Sequence, residues 1–590
     1  MTRKPHIDLH STKVIWDLTD LYQEISDPAI GRDLDQAKRL ALRLNERYSG
    51  QLATLSAPEL KEVVKGLEEV ATISAKLASF SYLNFATQVD NPQAGAFLQK
   101  IQEELSQISK QTIFFELEFA KLGDEPAREL LDAADLDHYR HFLKNIRRFS
   151  HHLLDAKEES LLLEIAPVAN SSWNSLFDKV MAQLRFGEKQ RAEEEVLNDL
   201  YSPRREVRQQ AAADLTTGLK SQLHVLGHIF NTILADKMIS DRLRSYPTWD
   251  CAMHLNNELH ESTVTTLVSA VQDRYDIVQR YYRLKQQILE LPALHDYDRY
   301  APLPHLPQEQ ISWPRCQEMV LASFADFSPR MAEIASLFFK NNWIHAPITP
   351  GKSSGAFAHP CVPEVHPYVM VNYGGNIRDV STVAHELGHG VHQYLAAEQG
   401  YFNSDTPLVL AETASVMAEL VLFHTQMQAI AGEEERRAFV CQKLESIFAT
   451  VFRQVAMNRF EAAIHEERRA RGELAIADFN RHWRKNQAEM FGDSVTLSAD
   501  YDVWWSYIPH FLASPGYVYS YAFGELLVLA LYRLFLDDKA SFIDNYETLL
   551  AAGGSLSPYE LVAPFGVNLD EADFWQGGLT IIDQMLAGIE

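Results

Sequence analysis

Val380-Ser381-Thr382-Val383-Ala384-His385-Glu386-Leu387-Gly388-His389-Gly390-Val391-His392-Gln393-Tyr394-Leu395 carries two patterns on one predicted helix. Val383, Leu387, Val391 and Leu395 recur every fourth residue, the spacing of a buried helical face. His385 and His389 are also four apart, so their imidazoles share a face, one turn above the other. Two imidazoles so placed can hold one zinc ion and leave room for a third ligand and a water. Glu386 stands about 100° round the helix from His385, where its carboxylate reaches the reacting water rather than the metal. The helix is predicted over residues 380–397 with Asp379 as its cap. A β-type run at 369–373, ending in Gly374 and Gly375, precedes it.

Twenty-two residues separate His389 from Glu412, which opens the second acid-bearing segment, Glu412-Thr413-Ala414-Ser415-Val416-Met417-Ala418-Glu419. On a helix Glu412, Ser415 and Glu419 fall at i, i+3 and i+7 and point the same way. Glu412 is the expected third ligand. Glu419, two turns on, is expected to accept the N–H of a ligand histidine and fix its tautomer, with Ser415 beside the two acids. His392 would make a fourth ligand and close the site, so it reads as packing or support. A di-iron carboxylate bundle needs two Glu-x-x-His copies. Apart from His389, no histidine has Glu three residues before it.

These motifs resemble the thimet oligopeptidase family, and within it a bacterial oligoendopeptidase F branch. Further matches are Trp16-Asp17-Leu18-Thr19-Asp20-Leu21, Arg244-Ser245-Tyr246-Pro247 and Val371-Asn372-Tyr373-Gly374-Gly375. Another is His510-Phe511-Leu512-Ala513-Ser514-Pro515-Gly516-Tyr517-Val518-Tyr519-Ser520-Tyr521. The resemblance implies a mainly α fold, a two-lobed helical clamshell with a deep central channel and a small β-sheet near the zinc site. It implies one Zn2+ ion and internal cleavage of short peptides, with folded proteins left intact. It also implies that His510 and Tyr517 hold substrate or stabilise the oxyanion, with Tyr521 close by; phenol and imidazole donors suit that task. Tyr519 reads instead as core. Leu512 and Gly516 stand where the resemblance expects aromatic residues, a departure that bears on subsite preference and not on chemistry.

The same resemblance suggests a path for the peptide. Residues 367–373 are expected to form an edge strand that pairs with an extended substrate and brings Tyr373 to it. Gly355, in the loop before that strand, would let backbone approach closely. Two other functions fit parts of the pattern. A metallo-carboxypeptidase or peptidyl-dipeptidase would need a cation for the terminal carboxylate, and Arg378 and Arg453 are candidates. A peptide-binding protein without catalysis would have no use for Glu386 beside the metal.

The composition agrees with a large globular enzyme: 590 residues, 46% apolar and 11% aromatic. A net charge of −26 argues against nucleic-acid binding, which needs clustered Lys and Arg. Cys251, Cys316, Cys361 and Cys441 are scattered and suit free thiols in a reducing cytoplasm. The first ten residues are polar, without the apolar core of a secretory signal. The longest apolar stretch, 522–536, is interrupted by Glu525 and Arg533 and reads as too short to cross a membrane. Helical spacing runs through 34–131 and 155–289, and Pro292, Pro302, Pro304, Pro307 and Pro314 mark an extended connection. Residues 344–375 are the one sizeable candidate for sheet, and helix returns from 411. The predicted domains are a helical N-terminal domain, 1–200, and a catalytic domain, 201–590. The sequence leaves the oligomeric state open.

Overall fold

Amphipathic spacing sets most of the architecture. The computed structural model describes residues 9–165, 168–305 and 310–590. The first eight residues and Pro307, both used above, lie outside the described residues. Helices cover most of the rest. The longest, Arg205–Leu243, has 39 residues and buries Ala211, Leu215, Leu219, Leu226, Ile229 and Ile233 along one stripe. Ala57–Ala86 begins at a capping box in which Ser56 and Glu59 satisfy each other's backbone N–H groups. Among the described residues the chain is mainly α with one small sheet.

That sheet lies wholly within 344–375. Strands β1 (Ile344–His345), β2 (Phe357–His359) and β3 (Tyr368–Met370) are ordered β1-β3-β2. β1 runs parallel to β3, with Ile344 opposite Val369, and β2 runs antiparallel, with Ala358 opposite Val369. The expected edge strand is therefore central: β3 is paired on both sides and cannot add a substrate strand. The Ala346 N–H donates to the Val14 carbonyl, so the chain at residue 14 covers the outer side of β1. β2 is the strand left at the rim.

Two compact units form, each from separated stretches of chain. One comprises Met1–Ser150, Pro307–Ala429 and Leu534–Val567; the other comprises His151–Leu306, Ile430–Arg533 and Asn568–Glu590. Periodicity along the chain marks helices without saying which of them pack together. The first unit has a core of Leu52, Leu60, Val63, Phe115, Phe119 and Leu143. In the second, Phe230 of the long helix packs with Phe479, Trp483, Trp504 and Trp505.

The apolar stretch near residue 522 is longer than its charges suggested. It forms the helix Tyr519–Asp537, whose 19 residues are, among the described residues, long and apolar enough to cross a membrane. Its most apolar window is 72% buried inside the protein, the condition of a core helix, and Arg533 is exposed.

Candidate metal centre

Asn376 starts the helix that carries the histidines. Its side chain accepts from the Asp379 N–H at 3.0 Å, and Asp379 Oδ2 accepts from the Gly374 and Asn376 N–H groups at 2.8 and 3.2 Å. Asp379 is thus the partner in a capping box, not the cap, and the helix is Ile377–Ala396. Val380, Val383, Leu387, Val391 and Leu395 are buried as their spacing requires. His385 and His389 lie one turn apart with ring centroids 4.9 Å from each other.

Glu412 sits in the break between the short helix Leu408–Ala411 and the helix Thr413–Ala429. Gly388 lets this second helix come close. A Cβ on Gly388 would meet the Ala414 carbonyl oxygen at 2.6 Å and the Ser415 Cα at 2.7 Å. No side chain fits there, so the glycine inside the histidine motif sets the distance at which the acids meet the imidazoles.

The two segments converge on one point. His385 Nε2 and His389 Nε2 each lie 3.4 Å from the same atom, Glu412 Oε2. Donors bound at about 2.0–2.2 Å to one tetrahedral ion lie about 3.3–3.6 Å apart, so the set fits a single metal ion. Among the described residues it is the one His/Cys/Asp/Glu group of three whose ligand atoms all lie within 4.8 Å of one another. Ser415 Oγ donates to Glu412 Oε2 at 2.7 Å, and His385 Nδ1 is 2.7 Å from Glu419 Oε1. The Nδ1–H bond to Glu419 leaves the Nε2 lone pair turned towards Glu412 and able to ligate a metal.

The electrostatics favour positive charge beside these carboxylates. Burial works against a charged His385, yet the hydrogen bond and charge of Glu419, helped by Glu412, raise it to about 9. Burial raises Glu412, but His389 and His385 outweigh it and hold the carboxyl at about 2. A divalent ion supplies this positive charge with both imidazoles neutral. Glu386, 6% exposed, is raised above the ordinary carboxylate range by burial, against the pull of His385 and His389. That favours a group able to take up a proton and give it back. His392 is 3% exposed, and its Nε2 lies 3.2 Å from the Thr406 hydroxyl. A cavity of about 800 Å3 opens beside the site, lined by His359, Cys361, His389, His392, Tyr401 and Asp405 among others.

Glu419→Ala removes the acceptor that orients His385. Metal affinity should fall about 10- to 100-fold, read by competition with a chelator, while the helical content stays unchanged.

The predicted substrate contacts divide. Tyr373 is only 2% exposed and donates its hydroxyl to the Ile311 carbonyl at 2.8 Å, so its side chain is part of the core, not a peptide contact. Gly355 has φ +82° and open space where a Cβ would go, and its carbonyl accepts from Asn372 at 2.8 Å. Lys352 donates to the carbonyls of Pro347 and Val371 at 2.8 and 2.7 Å and ties this loop to the sheet. No periodic signal marks such a tie.

The second unit gathers the other predicted donors. His510 Nε2 is 3.2 Å from the Tyr521 hydroxyl, and the Tyr517 and Tyr521 rings are 5.0 Å apart in an edge-to-face pair. Burial, helped by Arg453, holds His510 below its ordinary value, so it is neutral near pH 7. Tyr519 is fully buried and its hydroxyl accepts from Asn257 at 2.8 Å, as expected of a core residue.

A helix presenting His385 and His389 with Glu386 between them, and a following carboxylate that closes the ligand set, is the arrangement of a metallopeptidase. The sequence-family model of peptidase family M3 matches residues 199–581, and that of oligopeptidase F matches residues 118–186. The chain belongs to peptidase family M3. It is 25% identical to the oligopeptidase PepF of Bacillus subtilis, over 98% of this chain and 86% of that one. It is also 25% identical to the chromosomal oligoendopeptidase F of Lactococcus lactis subsp. cremoris, over 98% and 96%. These matches correct the resemblance by one level: the thimet oligopeptidases are a separate branch of family M3 from the oligoendopeptidase F relatives found here. A solved structure from Chlamydophila abortus shares the fold at TM-score 0.87 and 23% identity, covering 98% of both chains. The oligoendopeptidase F structure from Enterococcus faecium does so at 0.69 and 22%, covering 95% and 96%.

Proposed function

We propose that this protein is a zinc-dependent oligoendopeptidase that hydrolyses internal bonds of short, unstructured peptides. The observation that carries the proposal is the convergence of His385 Nε2, His389 Nε2 and Glu412 Oε2, with Glu386 on the same helix. Two imidazoles and one carboxylate suit zinc among the available divalent ions. A zinc ion held by these three residues supplies Lewis acidity and makes water a nucleophile near neutral pH. Glu386 takes a proton from the attacking water and later returns it to the leaving amine. His510 and Tyr517 donate hydrogen bonds to the oxyanion, with Tyr521 beside them in contact with His510. Glu419 and Ser415 hold His385 and Glu412 in register.

Pairing with the rim strand β2 would extend the substrate by its backbone and tolerate many side chains; Gly355 lies two residues before it. The catalytic domain is assigned to residues 201–590 and a helical N-terminal domain to 1–200. Cytoplasmic residence belongs to the same proposal, since the four cysteines are free thiols.

Tyr517→Phe should lower kcat about 100- to 1,000-fold with little change in KM, the usual loss for one oxyanion donor. Steady-state kinetics on a quenched peptide check it. The proposal as a whole is tested by mass spectrometry of products from a ladder of peptides about 5 to 40 residues long. Internal cuts that need metal and fade with length support it. Stepwise loss of C-terminal residues replaces it with an exopeptidase.

A further inference from the structure

Gly516 occupies a position where an aromatic residue was expected, and its backbone is left-handed, φ +85°. It belongs to the turn between His510 and Tyr517. The Ser514 N–H donates to the His510 carbonyl at 3.0 Å, and the Tyr517 N–H to the Ser514 carbonyl at 3.1 Å. The Gly516 N–H points out of this local chain of bonds and donates to Glu461 Oε1 at 2.8 Å. Glu461 lies on the helix Phe452–Arg471 and is 0% exposed. Its second oxygen, Oε2, is buried without a hydrogen-bond partner. On the other side the turn rests against a wall: a Cβ on Gly516 would lie 3.3 Å from Met253 Cβ and 3.6 Å from the Trp249 ring.

We propose that Glu461 is a positioning residue for the reaction: by holding the Gly516 N–H it fixes the turn between His510 and Tyr517, and with it the spacing of those two donors. The inference rests on the oxyanion role given to His510 and Tyr517 above. A buried carboxyl with one backbone donor and an empty second oxygen is an expensive way to stabilise a fold. Its cost is explained if the turn it holds must be placed to within a fraction of an ångström.

The surroundings fix its protonation. Burial raises Glu461 to about 8, against the pull of the Gly516 N–H, with Asp250 raising it further and Lys237 lowering it. His465, one turn along the same helix, has Nε2 at 3.9 Å from Oε1; burial, Lys237 and Arg469 keep it neutral. The charges beyond are paired: Asp250 with His254 at 3.2 Å, and Lys237 and Arg469 both with Asp241. Glu461 is therefore mostly neutral near pH 7 and ionises as pH rises through about 8, placing a charge where Oε2 meets no donor.

The test compares Glu461→Gln and Glu461→Leu in the full-length, metal-loaded protein, with kcat and KM measured from about pH 6 to 10 and metal content and thermal unfolding followed in parallel. Gln keeps an oxygen for the Gly516 N–H and cannot ionise. The wild type should decline in kcat as pH rises through about 8, a flat profile overturning the proposal, whereas Gln should retain kcat within about threefold near pH 7 and lose that decline. Leu should lose about tenfold or more in kcat at every pH, with KM less affected. A Leu variant with wild-type kcat overturns the proposal, as does a Gln variant that keeps the alkaline decline. If Leu does not fold, the pH profile of Gln decides alone. Impaired Tyr517→Phe beside an unaffected Glu461→Leu sinks this inference only; unaffected Tyr517→Phe sinks the oxyanion reading beneath it.

Discussion

Glu386→Gln binds its metal as the wild type does and loses about 100- to 10,000-fold in kcat. The amide is the same shape as the carboxylate, so the helix and its buried face are undisturbed. Glu386 is absent from the convergent donor set of His385, His389 and Glu412, so removing its charge takes no ligand away. What the amide cannot do is accept a proton. The burial that raises this carboxyl toward neutrality makes it an effective acceptor and donor in turn. Metal content by elemental analysis and turnover of a quenched peptide give the two readings. An active Glu386→Gln would end the general-base assignment, and loss of metal would mean that Glu386 is a ligand. A small effect on KM is expected, because the proton moves only on the way to the transition state.

The convergence of His385, His389 and Glu412 was legible in the sequence because ligand chemistry and helical period coincide. Four-residue spacing puts His385 and His389 on one face whatever surrounds the helix, and does the same for Ser415 and Glu419, while Glu412 sits in the break just before their helix. The helical character of most of the chain was legible for a similar reason: burial of one stripe leaves a periodic trace. Contacts between distant segments leave none. Gly388 has a role only because Ala414 and Ser415 press on it, from a helix that begins 25 residues later. Tyr373 looked available because its strand was expected at an edge; β3 is instead paired on both sides, and the Tyr373 hydroxyl is taken by Ile311. The turn at Gly516 read as a departure in subsite preference, and only the position of Glu461 gives that glycine a partner. The compact units, too, follow from packing between segments hundreds of residues apart, which a pass along the chain does not reveal.

His389→Ala, three residues from Glu386 on the same helix, should fail in the opposite way. The substitution removes one of three donors and leaves Glu412 Oε2 facing His385 Nε2 alone. Loss of a supporting acceptor such as Glu419 costs about 10- to 100-fold in metal affinity, and loss of a ligand should exceed that. The variant is therefore expected to lose its metal on dialysis against a weak chelator and to show no activity, with partial recovery at most when metal is added in large excess. Binding also links to stability. Saturating a site at about 100 times its Kd adds about 2.7 kcal/mol to a folded protein, so added zinc should raise the wild-type Tm. The same addition should leave His389→Ala almost unmoved, while Glu386→Gln follows the wild type. This pairing separates a lost ligand from a damaged helix. A helix broken by alanine would lower Tm without metal, and alanine is the residue least able to do that. One metal ion per chain retained by His389→Ala would remove His389 from the ligand set, and the convergence on Glu412 Oε2 would then be an ion-pair cluster without catalytic meaning.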